Sequence, residues 1–226
     1  MRLLMTPIKE IGECVISVGN DDYLFRPSFI NMTKIGSPQE IVQKVADLHN
    51  TEVQELIAGM WSATGSLPDW FMKYLNNSNP ARRAFSAAID VLQACCESDL
   101  SPLIGDIVPS KTGKRAFVWK QGKMALQDML LIASSLITHG VIGKAKVRQL
   151  QRNESKGTTS EFKAVDYINA ARNHFSMSRT EAENLTMTEF ILMLNQKYPE
   201  QKGFTREEYD QVIDDYFAMK EKRLQG

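Results

Sequence analysis

Gly105-Asp-Ile-Val-Pro-Ser-Lys-Thr-Gly-Lys114 offers the glycines and lysines of a phosphate-binding loop, but the spacing is wrong. Such a loop needs four residues between its glycines and a Ser or Thr after the lysine. Here seven residues separate Gly105 from Gly113, and Arg115 follows Lys114. An exposed basic loop is the reading that remains. His49, His139 and His174 each stand alone at a helix end, where an imidazole suits the helix dipole. None has a second His or Cys at metal-ligand spacing, so no metal and no cofactor are expected. Cys95 and Cys96 are adjacent in an apolar helical pattern, so they point in different directions and favour core packing over redox chemistry. Asp21 and Asp22 fall in a turn, and Asp214 and Asp215 on the solvent face of a helix. No catalytic set is assigned, and the expected protein is not an enzyme.

Charge narrows the partners. Basic and acidic residues balance at 27 each, so no global field draws the chain to nucleic acid or to an anionic membrane. The basic run Lys144, Lys146, Arg148, Arg152 and Lys156 has no interleaved aromatics on which bases would stack, which favours a solvated linker. A hydrophobic share of 43% with 24% charged residues describes a globular chain with real cores. Three cysteines, an odd number, suit a reducing compartment rather than a disulfide framework. The N-terminal residues lack the apolar stretch of a signal peptide, and the apolar run near 124–137 is too short and too polar for a membrane span.

The elements that must carry these residues are mostly helices. Cys14–Val18 and Tyr23-Leu-Phe-Arg-Pro27, joined by Gly19-Asn-Asp-Asp22, predict a β-hairpin, with Pro27 suited to an edge or a strand end. Ser37-Pro-Gln-Glu40 predicts a capped helix carrying Ile41, Val42, Val45 and Leu48, and Thr51-Glu-Val-Gln54 predicts a second. Asn79-Pro80 opens a third, whose stripe of Ala84, Phe85, Ala88, Val91, Leu92 and Cys95 requires burial. After Leu103 a loop with a second small hairpin or extended arm is expected. A fourth helix, about Lys120 to His139, follows, with Gly140 as its C-cap.

The fold class expected is mainly α with a small N-terminal β-hairpin (α+β). Residues 1–145 form a helical N-terminal domain, 146–160 a basic flexible linker, and 161–226 a small all-α module. Three capping boxes mark that module: Ser178-Arg-Thr-Glu181, Thr186-Met-Thr-Glu189 and Thr205-Arg-Glu-Glu208. Helices are expected near 161–176, 179–185, 187–197 and 206–223. The module is rich in aromatic and Met side chains, more than one small core uses. Phe175, Met177, Met187, Phe190, Met193, Leu194, Tyr209 and Tyr216 are therefore the candidate partner-binding residues, since adaptable Met and aromatic groups suit helical targets.

Two sets of stretches carry a resemblance. The first is Phe25-Arg-Pro-Ser-Phe-Ile-Asn-Met-Thr-Lys-Ile-Gly-Ser-Pro-Gln-Glu-Ile-Val42 with Val91–Gly105 and Ile137–Gly143. The second is Ala170–Phe190 with Gly203-Phe-Thr-Arg-Glu-Glu-Tyr209. Together they resemble a family of tailed-bacteriophage proteins encoded with the tail genes, and the second is similar to the C-terminal part of phage tail assembly chaperones. The resemblance implies a non-enzymatic morphogenesis factor in the host cytoplasm, absent from the mature virion. Its partners would be the tape-measure protein, held by the N-terminal domain along a homo-oligomer, and a tail-tube subunit, captured by the tethered C-terminal module. It also implies short and extended forms made by a ribosomal frameshift. The rival expectations are a minor tail or head-completion protein retained in the particle, and a nucleic-acid-binding regulator, which the neutral total charge disfavours.

Overall fold

The structure is a computed structural model that describes residues 4–8, 10–49, 59–60, 62–65, 68, 70, 78–109, 117–145 and 160–198. The expected helix opened by Thr51, residues 146–159 of the expected linker, the Thr205 capping box and the helix expected at 206–223 lie outside the described residues. The chain is mainly α with a small β part, as its periodicity predicts.

The N-terminal sheet has three strands rather than two: β1 (Leu4–Ile8), β2 (Glu13–Val18) and β3 (Asp21–Phe25), in an antiparallel meander. Alternation sets its inner face. Cys14 pairs with Phe25 and Ile16 with Tyr23, and all four are buried, as residues directly opposite in antiparallel strands share a face. β1 lacks this signal because Pro7 interrupts it. A proline has no N–H for a ladder, which an edge strand tolerates.

Helices follow. α1 (Phe29–Thr33) starts at Ser28, whose hydroxyl accepts from the Asn31 N–H. α2 (Pro38–Leu48) has the full capping box: the Ser37 N–H donates to Glu40 Oε2 at 2.7 Å, and the Glu40 N–H donates back to Ser37 Oγ at 3.4 Å. Those bonds with Ser37 hold the Glu40 carboxyl below its ordinary range. α3 (Asn79–Cys95), the short α4 (Ser101–Ile104), the hairpin β4 (Gly105–Pro109) with β5 (Phe117–Gln121), and α5 (Leu126–Ile137) complete this part. α3 and α5 form the principal helix pair. Ala87 and Ala88 are fully buried on α3, as are Met129, Ala133 and Leu136 on α5, so small side chains on one helix admit large ones on the other.

The helix expected from Lys120 to His139 begins six residues later, because Trp119, Lys120 and Gln121 are spent in β5. Nor does Gly140 cap it. α5 widens into a π-turn, Thr138–Ile142, which Gly143 ends at a φ of 82° with its N–H on the Thr138 carbonyl at 2.7 Å. Gly140 is instead a point of close approach: a Cβ there would press on the Met32 sulfur and the Pro27 carbonyl.

Then come α6 (Ala164–Phe175), α7 (Arg179–Glu183) and α8 (Met187–Lys197). The Ser178 box forms as expected. The Thr186 box forms too, with the Thr186 N–H donating to Glu189 Oε2 at 2.8 Å and the Glu189 N–H to Thr186 Oγ1 at 3.1 Å. The chain separates into compact units of Met1–Met193 and Leu194–Gly226, so α6, α7 and the first two turns of α8 belong with the N-terminal elements. Backbone bonds explain why: Phe29 N–H to Leu185 O at 2.8 Å, Phe162 N–H to Pro38 O at 3.0 Å, and a β-bridge between Ser28 and Thr186. Of the second unit, Leu194–Tyr198 are described, with the Tyr198 N–H on the Leu194 carbonyl at 2.8 Å and Lys197 Nζ 5.7 Å from the Tyr198 ring.

Candidate functional site

The surplus aromatic residues of the 160–193 segment are mostly used in packing. Phe29 of α1 stacks on Tyr167 at 5.8 Å, and Tyr167 stacks on Phe162 at 5.3 Å. Phe190 meets Phe29 and Tyr167 edge-on, each at 6.0 Å, and Phe175 meets Phe190 at 6.2 Å. Burial raises the Tyr167 phenol pKa, and the Asp166 charge adds to it. Of the eight residues expected to bind a partner, Met187 and Phe190 are therefore core, at 4% and 5% exposure. Phe175, Met177, Met193 and Leu194 are half-buried, while Tyr209 and Tyr216 lie outside the described residues.

The chemistry-bearing residues resolve into structural roles. Cys14, Cys95 and Cys96 are free and buried. Burial, with the neighbouring Cys96, pushes the Cys14 thiol up to about 11, and burial raises Cys95 and Cys96 as well. Thiols so poorly ionised are inert as nucleophiles and ligands. Gly105, first residue of the loop-like motif, has a φ of 109° and sits where a Cβ would strike the Lys120 carbonyl, so it serves β4–β5 pairing. Residues 110–116 of that motif lie outside the described residues. Among the described residues no group of three or more His, Cys, Asp or Glu is placed to hold a metal ion, and no helix is long and apolar enough to cross a membrane.

His139 stands at a helix end, as expected, but its side chain is interior. It is 2% exposed, under Gly12 and against Thr188 of α8. Its Nδ1 lies 2.9 Å from Thr188 Oγ1, which also accepts the Lys144 N–H at 3.0 Å. Burial, and then the charge of Lys144, hold the imidazole below its ordinary pKa. His49 is exposed, with Nδ1 2.9 Å from the Val45 carbonyl oxygen and Nε2 3.0 Å from Thr138 Oγ1. His174 is exposed beside the Phe175 ring, at 6.3 Å.

What stays open is a groove of about 340 Å³ between α1, α6 and α7. Ile30 and Ile168 form its apolar part, and Thr33, Asn169 and Arg172 border it. Val165 is 60% exposed there, and Arg179 holds Glu183 at 2.6 Å on the rim. Sequence reasoning missed this surface, although its signal was present: Val165, Ile168, Asn169 and Arg172 recur at helical spacing along one face of α6.

The fold and this surface define a mainly α protein with a small antiparallel β part. The chain belongs to the family of unknown function DUF6246, whose profile matches residues 25–211. The matched span takes in α1 to α8 and leaves β1 and β2 outside it. No curated protein and no solved structure matches the chain.

Proposed function

We propose that the chain is a non-enzymatic tail assembly chaperone of the phage type, which holds the apolar tape-measure protein and brings tail-tube subunits to it in the host cytoplasm. The sequence resemblance supports this reading, and one observation carries it further. The groove between α1, α6 and α7 draws its residues from the two stretches that resemble the phage proteins and from the turns of α6 beside them. An exposed Val165 above Ile30 and Ile168 gives a partner helix an apolar seat, and the charges on the rim fix its register.

The test is co-expression of the full chain with a tape-measure protein and a tail-tube protein from the genome that encodes it. Both co-purify with the wild-type chain. Val165→Asp places a carboxylate on the groove floor and loses the tube protein, while its circular dichroism and melting temperature stay near those of the parent, since the site is exposed. A wild-type chain that captures neither protein removes the proposal. Recovery of the chain from purified virions by mass spectrometry would replace it with a minor structural tail or head-completion protein.

A further inference from the structure

A second depression lies away from the groove. Where the first turns of α3 and α5 meet β5 there is a cavity of about 270 Å³. Phe85, Trp119, Leu126 and Leu130 wall it, and buried Met129 closes its floor. Phe85 and Trp119 stand edge to face at 5.6 Å, so two half-buried aromatic groups border the same space. A pocket of this volume lies just under the range of drug-sized sites, about 300–1,000 Å³, and suits a ligand built on one ring system.

Among the described residues the charged lining of the cavity has one sign. Arg82, in the first turn of α3, contributes to the lining and is exposed, with no side-chain partner among the described residues. Its neighbour Arg83 differs, for it reaches Asp47 at 3.4 Å. No carboxylate is among the described lining residues, and Asp128, in the first turn of α5, is exposed and outside the lining. Gln121 gives Nε2 to the Met124 carbonyl at 3.2 Å, which leaves its amide oxygen uncommitted to that bond. The first turns of both α3 and α5 border the cavity, so the positive ends of two helices add to the guanidinium. Arg is also the side chain best shaped to grip a carboxylate with two parallel N–H bonds.

We infer that this cavity binds a small aromatic carboxylate, its ring packed against the Phe85–Trp119 pair and its carboxylate on Arg82. The assignment stands on the cavity alone and does not depend on the chaperone reading. The probe is indole-3-acetate, titrated calorimetrically into the full chain, with indole-3-acetamide as the uncharged control of the same shape. Indole-3-acetate binds, and the amide binds at least about tenfold more weakly, as loss of a charge-assisted pair requires. Arg82→Gln brings indole-3-acetate down to the level of the amide. Ala81→Met, a helix-compatible change on the cavity wall, fills the space and abolishes binding of both. Circular dichroism of each variant matches the parent, because Arg82 is exposed and Ala81 half-buried. Absence of binding to the parent overturns the inference. Equal binding of acid and amide, or an Ala81→Met variant that binds as the parent does, overturns it equally.

Discussion

Beside the backbone bonds, two side-chain joints fasten the 160–193 segment to the rest of its unit, and they are built from opposite materials. One is aromatic: Phe29, Phe162, Tyr167, Phe175 and Phe190 in mutual contact. The other is polar: His139 and Thr188 in the interior, with Gly12 and Lys144 around them. The aromatic joint derives its strength from area removed from water, and tolerates small shifts because that force has no direction. The polar joint contributes little net energy but fixes position, since a buried imidazole and hydroxyl are costly unless each meets its partner. One joint supplies adhesion and the other supplies register.

Substitutions can break that contrast, and the largest effect is expected at Gly12. Gly12→Ala meets two penalties, a φ of 82° and overlap with the His139 ring. The strain and overpacking together cost upwards of about 4 kcal/mol, read as a loss of soluble folded chain or a collapse of the urea midpoint. Phe190→Ala opens the aromatic joint and costs about 3–5 kcal/mol in the same urea titration. Phe29, Tyr167 and Phe175 are the rings that lose a partner there. Thr188→Val is nearly isosteric yet removes the acceptor of the Lys144 N–H and the partner of His139, a cost of about 1–3 kcal/mol. A value within a few tenths of zero would show that the polar joint carries no weight.

The smallest effect is the pH dependence of the polar joint. His139 has its pKa lowered in the folded chain, so the unfolded chain binds the proton more readily. Stability is therefore fully present above the unfolded value of about 6.5, and is lost as pH falls through that value toward the lower folded one. Thr188 and Lys144 face the ring. The Glu40 and Glu181 carboxyls are held below their ordinary range by bonds with Ser37 and Ser178, so they act at lower pH and leave the window to the imidazole. Urea midpoints at pH 7.5 and 5.5 check this: the wild-type midpoint falls on acidification, and His139→Asn flattens the fall.

The legibility of this chain tracks the range of its interactions. The boxes at Ser37, Ser178 and Thr186 were readable because each closes within three residues: a short hydroxyl reaches one N–H and a Glu reaches back to another. The hairpin of β2 and β3 was readable for a similar reason, alternation on either side of a tight turn, although Asp21 and Asp22, expected in that turn, pair with Val18 and Ser17, and the strand ends at Phe25 rather than Pro27. β1 was not, because Pro7 hides a strand whose evidence is its partner. The candidate binding residues divide along the same line. Composition marked Met187 and Phe190 as adaptable apolar groups, but Phe29 and Tyr167, more than twenty residues away along the chain, decided that Phe190 is interior.

By itself the sequence determined a mainly α chain with a small β part, the starts of its capped helices, and the burial of Cys95 and Cys96, because these follow from local hydrogen bonds and from apolar periodicity. The tertiary structure alone decided how the 160–193 segment bonds to α1 and α2, that His139 is an interior group under a glycine, and where an open groove and a ring-sized cavity remain. The physical reason is one of range. A cap satisfies donors three residues apart, whereas a surface is buried or left open by whatever the chain folds against it, and that partner is not written beside it in the sequence.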